Sequence, residues 1–294
     1  MTDTPKTILA ATDFSKPAER AGDFARDLSR RFQARLHLVH VTVILEDPHL
    51  EEKHRHQMDE LVASGDDARL KDLESGSENQ PGLDVTPHMV RGLAPAEVIV
   101  EMASNLGCEL IVMGTHGRRG LPHLLLGSVA ERVVRTSTVP VLTVRGDADI
   151  NLDGAPRILV PHDFSEASAG AVRRATKWAK ALGAEITLLH VVEPVVYPEF
   201  YSVDVLSDDL MERLVERSER ALAAAAEDLV GEVRTEVEVG RAADTIVDFA
   251  DPERFDLVIM ATRGLSGLEH ALLGSVAESV LRRCRVPMLA VPAS

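Results

Sequence analysis

Thr12-Asp13-Phe14-Ser15 and His162-Asp163-Phe164-Ser165 are one short block written twice, 150 positions apart. Outward from it, Leu38-Val39-His40-Val41 returns at the same offset of 150 as Leu188-Leu189-His190-Val191. Leu125-Leu126-Gly127-Ser128-Val129-Ala130-Glu131 returns as Leu272-Leu273-Gly274-Ser275-Val276-Ala277-Glu278, now at 147, and Val139-Pro140-Val141 as Val286-Pro287-Met288 at the same 147. Ordered blocks at a near-constant offset mark the duplication of a whole domain, not a solenoid of short repeats. The three-residue shortfall of the second copy falls between residues 41 and 127. At 294 residues the chain has room for two domains of ordinary size. They are expected over residues 1–146 and 156–294, joined by the Asp-, Asn- and Gly-rich stretch Gly146 to Ala155.

Each copy carries the same run of elements. Thr7 to Ala11 and Arg157 to Pro161 are short apolar strands. Ser-led helical segments follow, Lys16 to Phe32 and Glu166 to Leu182, and then strands Arg35 to Val43 and Glu185 to Val192. A variable insert comes next, residues 46–82 and 193–231, with a helical pattern from Leu210 to Val230. Strand, helix and strand then repeat (Val85 to Val90, Pro95 to Leu106 and Leu110 to Met113; Val233 to Val239, Ala242 to Phe249 and Leu257 to Met260). Each copy closes with a Gly-rich loop, a helix and a last strand, 139–144 and 286–291. Strands alternating with helices predict an α/β chain of two doubly wound domains with parallel sheets.

Composition narrows the function classes. Residues are 45% hydrophobic but only 3% aromatic, so the core rests on Val, Leu, Ile and Ala, which suits buried parallel strands. A formal charge of −15 argues against a nucleic-acid surface, which needs clustered Lys and Arg. No apolar run is long enough to span a bilayer, and the polar start Met1 to Lys6 shows no signal peptide, so a cytoplasmic protein is expected. Cys108 and Cys284 make no disulfide framework, and they are not repeat equivalents, since Cys284 falls opposite Ser137.

Open parallel sheets bind ligands beyond the carboxyl ends of their strands, where strand order reverses. After Met113 the chain reads Gly114-Thr115-His116-Gly117-Arg118-Arg119-Gly120, and Gly127-Ser128 then opens a helix, giving Gly-x2-Gly-x9-Gly-Ser. Glycines let backbone approach phosphate oxygens, and a free helix N-terminus favours an anion. The plainer alternative is a strand-to-helix connection with turn glycines. Recurrence as Ala261-Thr262-Arg263-Gly264 through Gly274-Ser275 argues against it. No P-loop and no dinucleotide fingerprint is present. Asp13 and Asp163 follow the first strand of each copy, where a carboxylate suits a ribose hydroxyl, an adenine amine or metal-bound water. Helix capping is the alternative role, but Ser15 and Ser165 are better placed for it.

The first strand with Thr-Asp-Phe-Ser, the Gly-x2-Gly-x9-Gly-Ser loop and the closing Val-Pro-Val strand together resemble the universal stress protein family, twice over nearly the whole chain. The resemblance implies a five-stranded parallel sheet of the adenine nucleotide α-hydrolase-like kind, binding ATP, with or without Mg, at the switch point. It also implies pairing of the two halves through their last strands, and a possible homodimer. By position, Ala11, Thr12 and Asp13 would meet adenine and ribose, and Val41 would contact adenine through its backbone. Gly114, Gly117, Arg118, Gly127, Ser128 and Val129 would hold phosphates. The second-copy equivalents are Pro161, His162, Asp163, Val191, Ala261, Gly264, Leu265, Gly274, Ser275 and Val276. Ala261 for Gly114 and Leu265 for Arg118 depart from the first copy, which predicts a weaker triphosphate site there, or one for AMP or another ligand.

Other features carry less. His49, His54 and His56, beside Glu51-Glu52, fit no standard metal spacing and are expected on a solvated insert. His40 and His190 are expected to line a pocket or sit satisfied in the core, since no repeated nucleophile accompanies them. Trp178 is expected to pack, and the 208–230 helix to pack or to meet a partner. No catalytic residue and no metal ligand is assigned. The favoured function is an ATP-binding sensor or regulator of the stress response. The alternatives are a slow ATPase or nucleotidyl-transfer enzyme, and an adaptor with one degenerate nucleotide site. No general base and no arginine finger can be placed beside the phosphate loop, which favours binding over turnover.

Overall fold

The computed structural model describes residues 4–43, 71, 82–115, 126–148, 152–194, 208–227, 229, 233–251, 253–264 and 273–293. The chain forms two compact units, Met1–Gly146 and Asp147–Ser294. The first runs β1 (Thr7–Ala11), α1 (Lys16–Phe32), β2 (Arg35–Val43), β3 (Val85–Gly92), α2 (Pro95–Asn105), β4 (Leu110–Gly114), α3 (Ser128–Thr136) and β5 (Val141–Val144). Its strands lie in the order β3-β2-β1-β4-β5 and every pairing is parallel. The second runs β6 (Arg157–Pro161), α4 (Glu166–Leu182), β7 (Glu185–Val192), α5 (Asp208–Glu227), β8 (Val233–Val239), α6 (Ala242–Phe249), β9 (Leu257–Ala261), α7 (Ser275–Arg283) and β10 (Met288–Val291). Its order, β8-β7-β6-β9-β10, is again all parallel. The doubly wound α/β architecture expected from the repeat is therefore present in both halves, with seven helices among the described residues.

Local chemistry explains the helix ends. Ser15 caps α1 by accepting from the Ala18 N–H, and Ser165 caps α4 by accepting from the Ser168 N–H. α1 stops at Gln33 and α4 at Gly183, both in the left-handed region. Each helix buries a small-residue stripe with a few large side chains, Phe24, Leu28 and Phe32 in α1 and Trp178 and Leu182 in α4. Trp178, at 1% exposure, fills the place that Leu28 fills in the first half, as a packing role requires. The central strands are buried on both faces, with Ile8, Leu9, Ile111 and Val112 matched by Ile158, Leu159, Val258 and Ile259.

Strand register locates the missing residues. Leu36 pairs with Val85 and Ile186 with Val233, so the offset is 150 at β2 and β7 but 148 at β3 and β8. Two residues are thus lost in the insert and the third between β3 and β4, where Leu110 answers Leu257 at 147. No helix among the described residues is long and apolar enough to cross a membrane.

Candidate functional site

The crevice sits where the winding reverses. From β1 the chain crosses over α1 to β2, while from β4 it crosses over α3 to β5 on the other side of β1. Right-handed crossovers in opposite directions put α1 and α3 on opposite faces and open a gap between the carboxyl ends of β1 and β4. Ala11 pairs with Met113, so Thr12 and Asp13 leave one rim as Gly114 and Thr115 leave the other. β6 and β9 make the same gap in the second half, with Pro161, His162 and Asp163 on one rim and Ala261 and Gly264 on the other. Val41 and Val191, half-buried, lie at the same strand ends on β2 and β7.

A braced turn carries each aspartate. The Thr12 N–H donates to the Val39 carbonyl (2.9 Å), and the His40 Nδ1–H donates to the Thr12 carbonyl (2.7 Å). The Phe14 N–H then donates to the Thr12 hydroxyl oxygen (3.0 Å) and the Ser15 N–H to Asp13 Oδ1 (3.0 Å). These bonds hold Phe14 at φ 61°, a conformation that bulky side chains disfavour. Its ring lies 4.8 Å from that of His40. The second half repeats the device: Phe164 has φ 62°, its ring lies 4.5 Å from His190, and His190 bonds the His162 carbonyl at 2.8 Å. Such strain persists only where the surroundings over-determine it, and here it fixes the turn that carries each aspartate, with Asp163 Oδ2 toward Gly264.

Across the gap, α3 and α7 begin at Gly127 and Gly274 with no side-chain cap. Each glycine N–H turns back to the strand end, Gly127 to the Thr115 carbonyl (2.6 Å) and Gly274 to the Thr262 carbonyl (2.8 Å). The next backbone N–H groups, from Ser128 and Val129 or Ser275 and Val276, lie in the first turn, where no capping side chain receives a hydrogen bond from them. Ser128 and Ser275 are exposed. That is the electrostatic arrangement of an anion site. Gly117, Arg118 and Leu265 lie outside the described residues, as does the cluster of His49, His54 and His56.

The glycines separate into two kinds. A Cβ on Gly114 would stand 2.8 Å from the Pro17 carbonyl carbon and 2.9 Å from the Ala18 nitrogen, so the first turn of α1 demands this glycine. The residue equivalent to Pro17 is Ala167, and Ala261 carries its methyl buried at 5% exposure. The buried Ala261 methyl thus stands where, in the first half, a methyl on Gly114 would meet Pro17 and Ala18. Gly264 is of the other kind: a Cβ there would lie 2.5 Å from Asp163 Oδ2. Loop backbone and carboxylate meet in the crevice, as the motif requires.

Several site features had little sequence signal. His40 and His190 hold the turn carbonyls, so both imidazoles are hydrogen-bonded as expected of a satisfied histidine. The left-handed Phe14 and Phe164 were visible only as repeated letters. His162 answers Thr12, and its Nδ1 accepts the Phe164 N–H at 3.0 Å. Burial pushes the His162 imidazole below its ordinary pKa, the Asp163 carboxylate opposes this, and His190 adds to it. Among the described residues no three His, Cys, Asp or Glu side chains cluster to hold a metal.

Similarity to other proteins follows the same division. The sequence model of the universal stress protein family matches residues 4–145 and again 155–292. A universal stress protein of Methanocaldococcus jannaschii is 36% identical over 138 residues, covering 46% of this chain and 81% of that protein. One from Mycobacterium tuberculosis is 32% identical over 203 residues, covering 66% of this chain and 65% of that protein. In fold, the crystal structure of a universal stress protein from Archaeoglobus fulgidus matches at a TM-score of 0.67 and 23% identity, over 98% of this chain and 99% of that one.

Proposed function

This chain belongs to the universal stress protein family, and on that premise we propose that each half binds an adenine nucleotide, ATP in the first half, and acts by occupancy as a cytoplasmic sensor or regulator of the stress response. The observation that carries the proposal is the meeting of Gly264 with the Asp163 carboxylate at the mouth of a crevice whose far side is an uncapped helix N-terminus. Acceptors for hydroxyls and donors for phosphates thus face one gap in the second half, and the aspartate turn and uncapped helix recur in the first.

The roles of the residues are taken from the family resemblance. Ala11, Thr12, Asp13 and Val41 take the nucleoside end, as do Pro161, His162, Asp163 and Val191. Gly114, Gly127, Ser128 and Val129, with Gly117 and Arg118 of the intervening loop, take the phosphate end. Ala261, Gly264, Gly274, Ser275 and Val276, with Leu265, do so in the second half. Mg enters as the counter-ion that a triphosphate brings.

Calorimetric titration of the full chain with ATP tests this. Glu at the first helical position suits the dipole, so Ser128→Glu and Ser275→Glu keep the helices while repelling phosphate. Two binding events in the wild type, with one lost in each variant, are expected. No binding in the wild type overturns the proposal. Phosphate release that disappears in the double variant identifies a slow ATPase instead. Binding confined to the first half identifies an adaptor with one degenerate site.

A further inference from the structure

We propose that acidification switches the second nucleotide site through His162, so that the two halves respond differently to pH; the inference rests on the nucleotide binding proposed above. The two turns are built alike except at one position. The Phe14 N–H donates to a threonine hydroxyl oxygen, whereas the Phe164 N–H donates to the His162 imidazole Nδ1, each at 3.0 Å. An accepting imidazole nitrogen carries no hydrogen, so His162 is held as the neutral tautomer protonated at Nε2. The next proton must enter at Nδ1, where it sets a donor against a donor. A hydroxyl has no such transition.

The bond at risk braces the residue that most needs it. Phe164 sits at φ 62°, and its ring lies between His162 (5.1 Å) and His190 (4.5 Å). Asp163 is next in the same turn. Its Oδ1 accepts from the Ser165 N–H (3.1 Å) and hydroxyl (2.5 Å), while Oδ2 faces Gly264. Opening the turn displaces the carboxylate that the second crevice presents. The groups around the imidazole are Asp163 in the turn and His190 on β7, with Arg263 exposed on the loop after β9. Asp163 favours the proton, but burial is the larger effect and His190 adds to it, so His162 stays neutral below the ordinary histidine range. His190 differs in its bonding, because its Nδ1 donates to the His162 carbonyl where the His162 Nδ1 accepts.

The test uses the full chain. Ser128→Glu isolates the second site and Ser275→Glu the first. ATP affinity is measured from about pH 8 down to about pH 5. Site one supplies the slope that comes from titration of ATP itself. Beyond that slope, site two is expected to lose up to about tenfold in affinity per pH unit below the His162 transition. His162→Thr should return site two to the slope of site one, and Thr12→His should confer the acid loss on site one. Without nucleotide, hydrogen exchange at the Phe164 amide should accelerate on acidification beyond its intrinsic rate, while Phe14 does not. Equal slopes at the two sites, an unchanged slope in His162→Thr, or steady Phe164 protection overturns the switch while leaving nucleotide binding standing. Absence of ATP binding at either site at the higher pH overturns the nucleotide reading and the proposal with it.

Discussion

Gly114 and Gly264 occupy the same motif for different physical reasons. A methyl at 114 meets the backbone of Pro17 and Ala18, which cannot swing aside. Gly114→Ala should therefore destabilise the first half by about 1–3 kcal/mol through overpacking, read as a lower denaturant midpoint. Ala261→Gly should lower stability by about 0.5–1 kcal/mol and leave ATP affinity at the second site unchanged; an affinity gain there would contradict the packing account. Gly264→Ala pushes on the Asp163 carboxylate instead, and should weaken the second site by about tenfold or more without touching the first. Three histidines contribute to the pH response of the fold. Burial lowers His37, His88 and His162 alike, and the His37 and His88 rings share a hydrogen bond of 2.9 Å between β2 and β3. The unfolded chain takes up these protons near pH 6.5 and the fold only at lower pH. Their contribution to stability is complete above about pH 6.5 and is lost as pH falls below it. A denaturation midpoint that stays level from about pH 7 to about pH 5 would contradict this.

The helices divide by how they begin. α1 and α4 have serine caps bonded to their first turns, so Ser15→Ala and Ser165→Ala should each destabilise by about 1 kcal/mol in denaturant unfolding. α3 and α7 have none, so Ser128→Ala and Ser275→Ala should leave stability unchanged while lowering ATP affinity. Much of this was legible in the sequence. Ser15 and Ser165 announced α1 and α4, and apolar runs announced the central strands, because burial on both faces leaves a continuous hydrophobic signature. What stayed hidden depended on contacts between elements distant in sequence. Phe14 resembles an ordinary strand or core residue until the Thr12, His40 and Asp13 bonds force it left-handed. The role of Gly114 is set by Pro17, and the division of the three missing residues appears only in strand register.

Over the whole molecule, duplication has preserved the crevice and varied what lines it. His162 stands in the second copy where the first has Thr12, while the aspartate, the strained phenylalanine and the uncapped helix recur. The cysteines stand apart from this chemistry. Cys108 and Cys284 are buried, and burial pushes the Cys108 thiol up to about 11. Thiol reagents should label the native chain no faster than it opens; rapid labelling would point to a reactive thiolate. A net charge of −15 means that the proposed binding of nucleotide phosphates would have to work against the overall field, through local dipoles such as the uncapped helix starts. Occupancy therefore gives the most direct test of the central claim. Native mass spectrometry of the full chain in excess ATP near neutral pH should show two nucleotide increments per chain, falling to one in either Ser128→Glu or Ser275→Glu. A chain that stays at its bare mass, or increments that survive in the Ser128→Glu, Ser275→Glu double variant, would contradict it.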